Sequence, residues 1–326
     1  LPLLFLYVMR RFDLFYSGLY TVLAVDVGLS ALLLLLPTLL MGLAFPLANQ
    51  LYTQSLSGLG KSVGEIYSAN TLGCIIGSIL AGFVCIPVLG AQTTLKLAAV
   101  ANLLVALLLL LVGRKSKPHP SLLAPLLTIV MVASLPAWEP GLMTGGVGFS
   151  APRYFQAGSE SLLYEEPAFY RDGLSCTVTV MLDGSDELVL KVNGKTDASL
   201  AQGDQQTQYL AGYLPAMFHS DPKRIAVIGL GGGQSAEALA TIKGVEHVDV
   251  VELEHAVVEA QKYWGIHNDF ILKDPRVQVH ATDGRTFILG SPDTFDIIAS
   301  EPSNPWIAGI GNLFTLEFYQ KCAQRL

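Results

Sequence analysis

Residues 224–237, RIAVIGLGGGQSAE, decide how the rest of the chain is read. Positions 225–228 form a short apolar β run that breaks at Gly229-Leu230-Gly231-Gly232-Gly233, and 235–242 returns to a helical pattern. The stretch predicts a strand, a glycine turn and a helix start. Glycine permits positive φ and lets backbone approach a ligand closely, and the free amides of a new helix favour a polar or anionic group. Such a turn suits a nucleotide or nucleoside. A lone G-x-G-x-G also fits a tight turn with no ligand, but its place between strand and helix favours the ligand.

Downstream the pattern alternates. Strands are expected at 248–252, 277–281 and 295–300, with helices at 255–264 and 285–289 and a last helix at 313–326. That order implies a parallel sheet with helices on both faces and a ligand at the strand ends. Glu252 closes the second strand about 20 residues after the glycines, where a carboxylate can accept both ribose hydroxyls. Thr282-Asp283-Gly284 closes the third strand and 301–306 the fourth. Each has a plainer reading: Glu252 as a solvated strand end, Asp283-Gly284 as a turn, and Glu301-Pro302-Ser303-Asn304-Pro305 as a capped loop. Their joint occurrence at successive strand ends points to one crevice. Tyr164, Tyr209 and Trp306 could cover it, although aromatics near strand ends usually pack.

Upstream, strands at 161–170, 176–182 and 187–192 lead into Asn193-Gly194, a hairpin signal, and 205–218 reads as an amphipathic helix. A small antiparallel β unit therefore precedes the glycine turn. Before it, the Pro/Gly-rich stretch 136–160 reads as a linker.

The first 135 residues are of another kind. Over the 326-residue chain 51% of residues are hydrophobic, 14% are charged and mean hydropathy is +0.47, too apolar for a soluble domain alone. Apolar segments at 1–9, 14–51, 63–86, 95–112 and 122–135 carry the excess, so a membrane-spanning helical domain is expected there, with the lipid bilayer as partner. Segment 14–51, interrupted by Asp26, Pro37 and Pro46, is long for one span and short for two. Gly73, Gly77, Ser78 and Gly82 put small residues on one helical face, a pattern for close packing. Glu65 reads as solvated near a helix end; Asp26, flanked by apolar residues, is an open case. A net charge of −7 and a pI near 5.3 exclude a nucleic-acid partner. The four cysteines show no metal or disulfide spacing, so no metal site is expected. The domains expected are thus 1–135 membrane helices, 136–160 linker, 161–204 small β domain and 205–326 Rossmann-like catalytic domain.

Four motifs in order, IAVIGLGGG (225–233), VVELEHAVVEAQKYW (250–264), DPRVQVHATDGRTF (274–287) and FDIIASEPSNPW (295–306), resemble the catalytic domain of the spermidine synthase family in its membrane-fused form. The likeness covers residues 165–326. It implies a methyltransferase-like fold binding S-adenosylmethionine or its decarboxylated form as substrate, with no permanently bound cofactor. By that resemblance Gly229, Gly231 and Gly233 line the sulfonium nucleoside, Glu252 holds the ribose and Asp283 meets the adenine amino group. Glu301 stands where the family keeps its catalytic aspartate. Gln234, Gly284, Ser303, Asn304, Asp204 and Gln208 complete the expected substrate-binding set. The family also continues with further strands, so the chain is expected to be C-terminally incomplete.

The departures bear on the acceptor. Polyamine-making members carry an aspartate where this chain has Gly232. Their D-S-S-D-P loop is Glu301-Pro302-Ser303-Asn304-Pro305 here, and their D-E-x-x-Y-x-E segment resembles 203–209, without its tyrosine and final glutamate. Burying two ammonium groups requires paired anions or strong acceptors, and about half are kept. The expected activity is therefore cleavage of the Cγ–S bond with release of 5′-methylthioadenosine, as a lyase giving homoserine lactone. The alternatives are a true aminopropyltransferase, a methyltransferase, and a non-catalytic nucleoside-sensing membrane module. The expected location is a bacterial inner membrane with the catalytic domain facing the cytoplasm, although a spanning segment after Arg114, Lys115 and Lys117 would argue for the opposite face. Homo-oligomerisation is left open.

Overall fold

The computed structural model describes residues 19–53, 55, 58–112, 122–146, 167–182, 187–264, 271, 273–307 and 309–326. Two compact units divide the chain: 1–138 with 150–163, and 139–149 with 164–326. The expected helix at 1–9, the Arg114 cluster, Tyr164 and most of the linker lie outside the described residues.

In the first unit, helix α1 (Leu19–Tyr52) runs 34 residues through both Pro37 and Pro46, so the segment forms one helix. Helix α2 (Leu59–Ile79) continues through a π-helical turn, Leu80–Cys85, and a short helix, Ile86–Leu89, which ends at Gly90 with φ 83°. Helices α3 (Ala91–Val112) and α4 (Leu123–Ala133) follow. Among the described residues, three stretches, Leu23–Tyr52, Leu59–Leu89 and Ala91–Val112, are long and apolar enough to cross a membrane. Helix α4 has 11 residues, about 17 Å at 1.5 Å per residue, short of a bilayer's hydrocarbon core.

The small-residue face of α2 differs from expectation. A Cβ added to Gly73, Gly77 or Gly82 would meet nothing within 4 Å, so this face is not packed against another described helix. Helix α2 instead meets α1 through Phe45 and Tyr67, edge to face at 6.4 Å, and through the Tyr52 hydroxyl, which donates to Glu65 at 2.8 Å. Glu65 also lies 3.9 Å from Lys61 on its exposed surface.

The second unit opens with an antiparallel meander, β1 (Phe169–Asp172), β2 (Thr177–Leu182), β3 (Leu188–Val192) and β4 (Lys195–Ser199). Its last turn uses Asn193 at φ 49° and Gly194 at φ 80°, the two positive values a tight two-residue hairpin turn requires. Helix α5 (Gln202–Met217) leads to β5 (Arg224–Ile228), α6 (Gln234–Ala240), β6 (His247–Glu252) and α7 (His255–Ala260). A 3-10 turn at Gln261–Tyr263 ends what the sequence reads as one helix to 264. Then come β7 (Val277–Ala281), α8 (Gly284–Gly290), β8 (Ile297–Ser300) and α9 (Leu316–Ala323).

Strands β5 to β8 form a parallel sheet in the order β7-β6-β5-β8. Both faces are covered, which is why the strands read as apolar runs. On β5, Ile225 and Val227 enter a core shared with α6, α7 and the meander residues Val178, Val180, Leu190 and Ala198. Ala226 and Ile228 face Ile288, Phe318 and Cys322 on the other side. One core thus joins meander and sheet. The chain leaves β5 toward β6 on one side and returns as β8 on the other, and the crevice outside such a switch point is where open α/β sheets bind ligands.

Candidate active site

The glycine turn sits at that switch point. Gly229, at φ 97°, accepts no side chain: a Cβ there would come within 3.0 Å of the Glu301 carbonyl, and the Glu301 amide donates to Ile228 O at 3.0 Å. The turn after β5 and the loop after β8 are therefore in direct backbone contact. Gly231, at φ 50°, has nothing within 4 Å of its side-chain direction, while its carbonyl accepts from Gln261 Nε2 at 2.7 Å. Gly233 (φ 84°) begins α6. Gly284 plays a different part, because a Cβ there would come within 2.5 Å of Ile228 Cγ2; it lets α8 pack closely against β5.

Glu252, at the end of β6, accepts the Leu230 amide at 3.0 Å and the Glu254 amide at 2.9 Å. Burial raises its pKa, against the lowering effect of those two amides. Asp283 caps α8, accepting the Thr286 amide at 2.7 Å and the Thr286 hydroxyl at 2.8 Å, both through one carboxylate oxygen. Its second oxygen makes neither of these bonds.

Around Glu301 two expected residues, Gln208 and Asp204, converge with Ser235, which the sequence did not single out. The Glu301 carboxyl is bonded to the hydroxyl of buried Ser235, which also donates to Gln208 O at 2.9 Å. A hydroxyl has one proton to give, so Ser235 stands between two acceptors, the Glu301 carboxylate and the Gln208 carbonyl, and serves one of them at a time. Burial raises the Glu301 pKa, Ser235 holds it down, and the negative charge of Asp204 adds to the rise. Asp204 accepts the Ser199 hydroxyl at 2.8 Å, which ties α5 to the end of β4.

Strand β4 reaches the loop after β8 through two side chains. Lys195 Nζ lies 2.5 Å from Asp197 and donates to Ser303 at 3.2 Å, while the Ser303 hydroxyl donates to Asp197 at 2.8 Å. Asn304 follows directly in that loop and accepts the Ile307 amide at 3.1 Å through its backbone. Lys195 and Asp197 escaped the sequence reading because their partner lies more than 100 positions away, with no local spacing to flag it. Cys176, near the start of β2, has its thiol pushed up to about 12 by burial and by Glu254, Glu252 and Asp197. Tyr209 does not cover the crevice: its hydroxyl donates to Glu237 at 2.7 Å and its ring stacks on Tyr213. Trp306 is 71% exposed.

The buried glutamines complete the arrangement. Gln234 is 1% exposed, and a Cβ on Gly232 would collide with its Oε1 and come 3.1 Å from Ala198 Cβ. The Gln234 amide therefore folds back over Gly232, toward β4. Among the described residues, its Oε1 and the Nε2 of buried Gln208 have no hydrogen-bond partner.

Glu301, the glycine turn and Glu252 thus lie at neighbouring strand ends, as expected from the four motifs. Residues 205–326 match the spermine/spermidine synthase domain. The likeness to the spermidine synthase family is borne out by relatives too. The polyamine aminopropyltransferase of Pectobacterium carotovorum is 36% identical over 115 residues, 35% of this chain and 40% of that protein. That of Oceanobacillus iheyensis is 25% identical over 265 residues, 80% of this chain and 49% of the relative, a match too long to be confined to the second unit. The chain spans less than half the length of these curated relatives. Among solved structures, spermidine synthase in complex with the transition state analogue AdoDATO aligns with 22% identity and a TM-score of 0.44, covering 50% of this chain and 54% of that one. Spermidine synthase from Thermotoga maritima aligns at 21% and 0.42, covering 50% and 53%.

Proposed function

We propose that this chain binds a sulfonium nucleoside, S-adenosylmethionine or its decarboxylated form, at the β5/β8 switch point and breaks its Cγ–S bond to release 5′-methylthioadenosine. The observation that supports this reading is the crevice at the switch point, where the Gly229 turn lies against the Glu301 backbone and the Glu252 carboxyl stands at the adjacent strand end. The positive sulfur makes Cγ electrophilic and leaves as a neutral thioether, so orientation of the nucleophile is most of what the protein must supply. Glu252 supports ribose recognition, its carboxylate lying at the end of the strand next to the glycine turn.

For the nucleophile, we infer the substrate's own carboxylate. Its oxygen attacks Cγ, the C–O bond closes a five-membered lactone, the C–S pair returns to sulfur, and no proton has to move. Supporting this route is the neutral character of the site at two places: Gly232 carries no acid, with the Gln234 amide over it, and position 304 is Asn. The second reading, transfer to an amine, is favoured by the family match and the relatives named polyamine aminopropyltransferase. There Glu301 would take a proton from the attacking amine.

We further propose that the stretches Leu23–Tyr52, Leu59–Leu89 and Ala91–Val112 lie in a bilayer, with the second unit in the cytoplasm where S-adenosylmethionine is found. Their outward leucines, such as Leu109 at 67% exposed, support it.

The test is to incubate the detergent-solubilised chain and its Glu301→Gln variant with S-adenosylmethionine, with and without a diamine. The lactone route predicts turnover without amine, largely retained by the variant. Turnover that requires the amine and falls about 10²–10⁴-fold in Glu301→Gln would reject the lactone in favour of transfer.

A further inference from the structure

The linker expected at 136–160 is not a bare spacer. Its residues 139–146 belong to the second unit, where Gly141, Leu142, Thr144 and Gly145 are buried and the Thr144 hydroxyl donates to Pro140 O at 2.7 Å, closing a helical turn at Pro140–Met143. This strap meets the tip of the β3–β4 hairpin backbone to backbone. A Cβ added to Gly194 would lie 2.8 Å from both N and Cα of Gly146 and 3.2 Å from Thr144 O, and one added to Gly146, at φ 65°, would fall on the Gly194 carbonyl. Gly194 immediately precedes Lys195, and Lys195 and its partner Asp197 both bond the Ser303 hydroxyl.

We infer that the strap 139–146 is a positioning element: seated on Gly194 it fixes the outer end of the β3–β4 hairpin, and through Lys195, Asp197 and Ser303 it fixes the loop that begins with Glu301. The catalytic meaning of that loop rests on the site proposed above; the strap's hold on it does not. Strand β4 is built in two parts. Ala198 and Ser199 are buried, whereas Lys195, Thr196 and Asp197, the stretch that reaches the loop, are not, and the ladder to β3 shifts register between Leu190 and Lys191. Such an irregularity bends a strand and interrupts its pairing, so the buried half of β4 does not by itself fix the outer half. The strap supplies that support. The loop in turn contains Pro302 and Pro305, which have no amide to donate, so a side-chain tie at Ser303 carries more of its order.

The experiment is amide hydrogen exchange of the whole detergent-solubilised chain, read by mass spectrometry, for Gly146→Ala and Leu142→Ala in the strap, Ser303→Ala in the loop, and each strap change combined with Ser303→Ala. Gly146→Ala puts a methyl group on the Gly194 carbonyl; Leu142→Ala instead thins the strap's buried side, with both glycines left in place. Each single variant should speed exchange of the loop 301–307 by about tenfold, the value of one hydrogen bond, and leave β5 and β6 unchanged. The combined variants should be no faster than Ser303→Ala alone, because both changes break the same path. Turnover of S-adenosylmethionine with a diamine present should fall in kcat, while 5′-methylthioadenosine, which reports the nucleoside site alone, binds as before. Unchanged loop exchange in a folded strap variant, or an effect that adds to that of Ser303→Ala, overturns the inference. So does faster exchange spread through β5 and β6, or failure of both strap variants to fold, either of which makes the strap a general support of the unit. A loop that responds as expected in a chain that turns over no S-adenosylmethionine upholds the strap's hold and removes the reading of the site.

Discussion

The Ser235 hydroxyl is the smallest unit on which the chemistry depends. It stands between Glu301 and the Gln208 carbonyl, and it lowers the pKa of an acid that burial and Asp204 raise. The signs follow directly. Ser235→Ala removes a stabiliser of the charged form, so the Glu301 midpoint should move further up; Asp204→Asn removes a neighbouring negative charge, so it should move down. Carboxyl-carbon NMR titration reads both shifts, and a midpoint indifferent to the two changes would contradict the assigned contacts. Gly229 gives a second prediction at this scale. With φ at 97° and the Glu301 carbonyl 3.0 Å from any Cβ, Gly229→Ala should lower stability by about 1–3 kcal/mol and weaken nucleoside binding. A denaturant titration checks the first effect.

At the scale of elements, much of the architecture was legible because the signals are local. Asn193-Gly194 fixed the hairpin, apolar runs with glycine or acidic ends fixed the parallel strands, and Glu252 fell where a strand end was expected. Helix limits shifted where sequence offers no cap: the helix expected at 205 starts at Gln202, and the one expected to reach 264 stops at Ala260. What could not be read were contacts between distant elements, namely Lys195 and Asp197 with Ser303, Ser235 with Glu301, and Gln234 over Gly232 in its particular rotamer. Asp283 illustrates the converse. Its position was legible, yet one of its oxygens is already used to cap α8. Another such contact supports the sheet: Asp249 on β6, 2% exposed, lies 3.3 Å from Arg224, 3.1 Å from His247 and 2.7 Å from His280. Asp249→Ala takes this partner from His247 and His280 while Arg224 keeps Asp293 at 2.8 Å, and should cost about 1–3 kcal/mol, whereas a change under 1 kcal/mol would show that the cluster contributes little.

Across the whole molecule, the apolar excess of the composition resolves into one helical unit, while the second unit buries its apolar residues in the ordinary way. If the three long helices lie in lipid, the chain should stay with membranes after alkaline carbonate washing and be released by detergent. Release by carbonate alone would contradict the bilayer placement. The central claim, that the Cγ–S bond is the one broken, is tested most directly by identifying the nucleoside left after the whole chain has consumed S-adenosylmethionine. The account predicts 5′-methylthioadenosine; S-adenosylhomocysteine would contradict it and make the site one for methyl transfer.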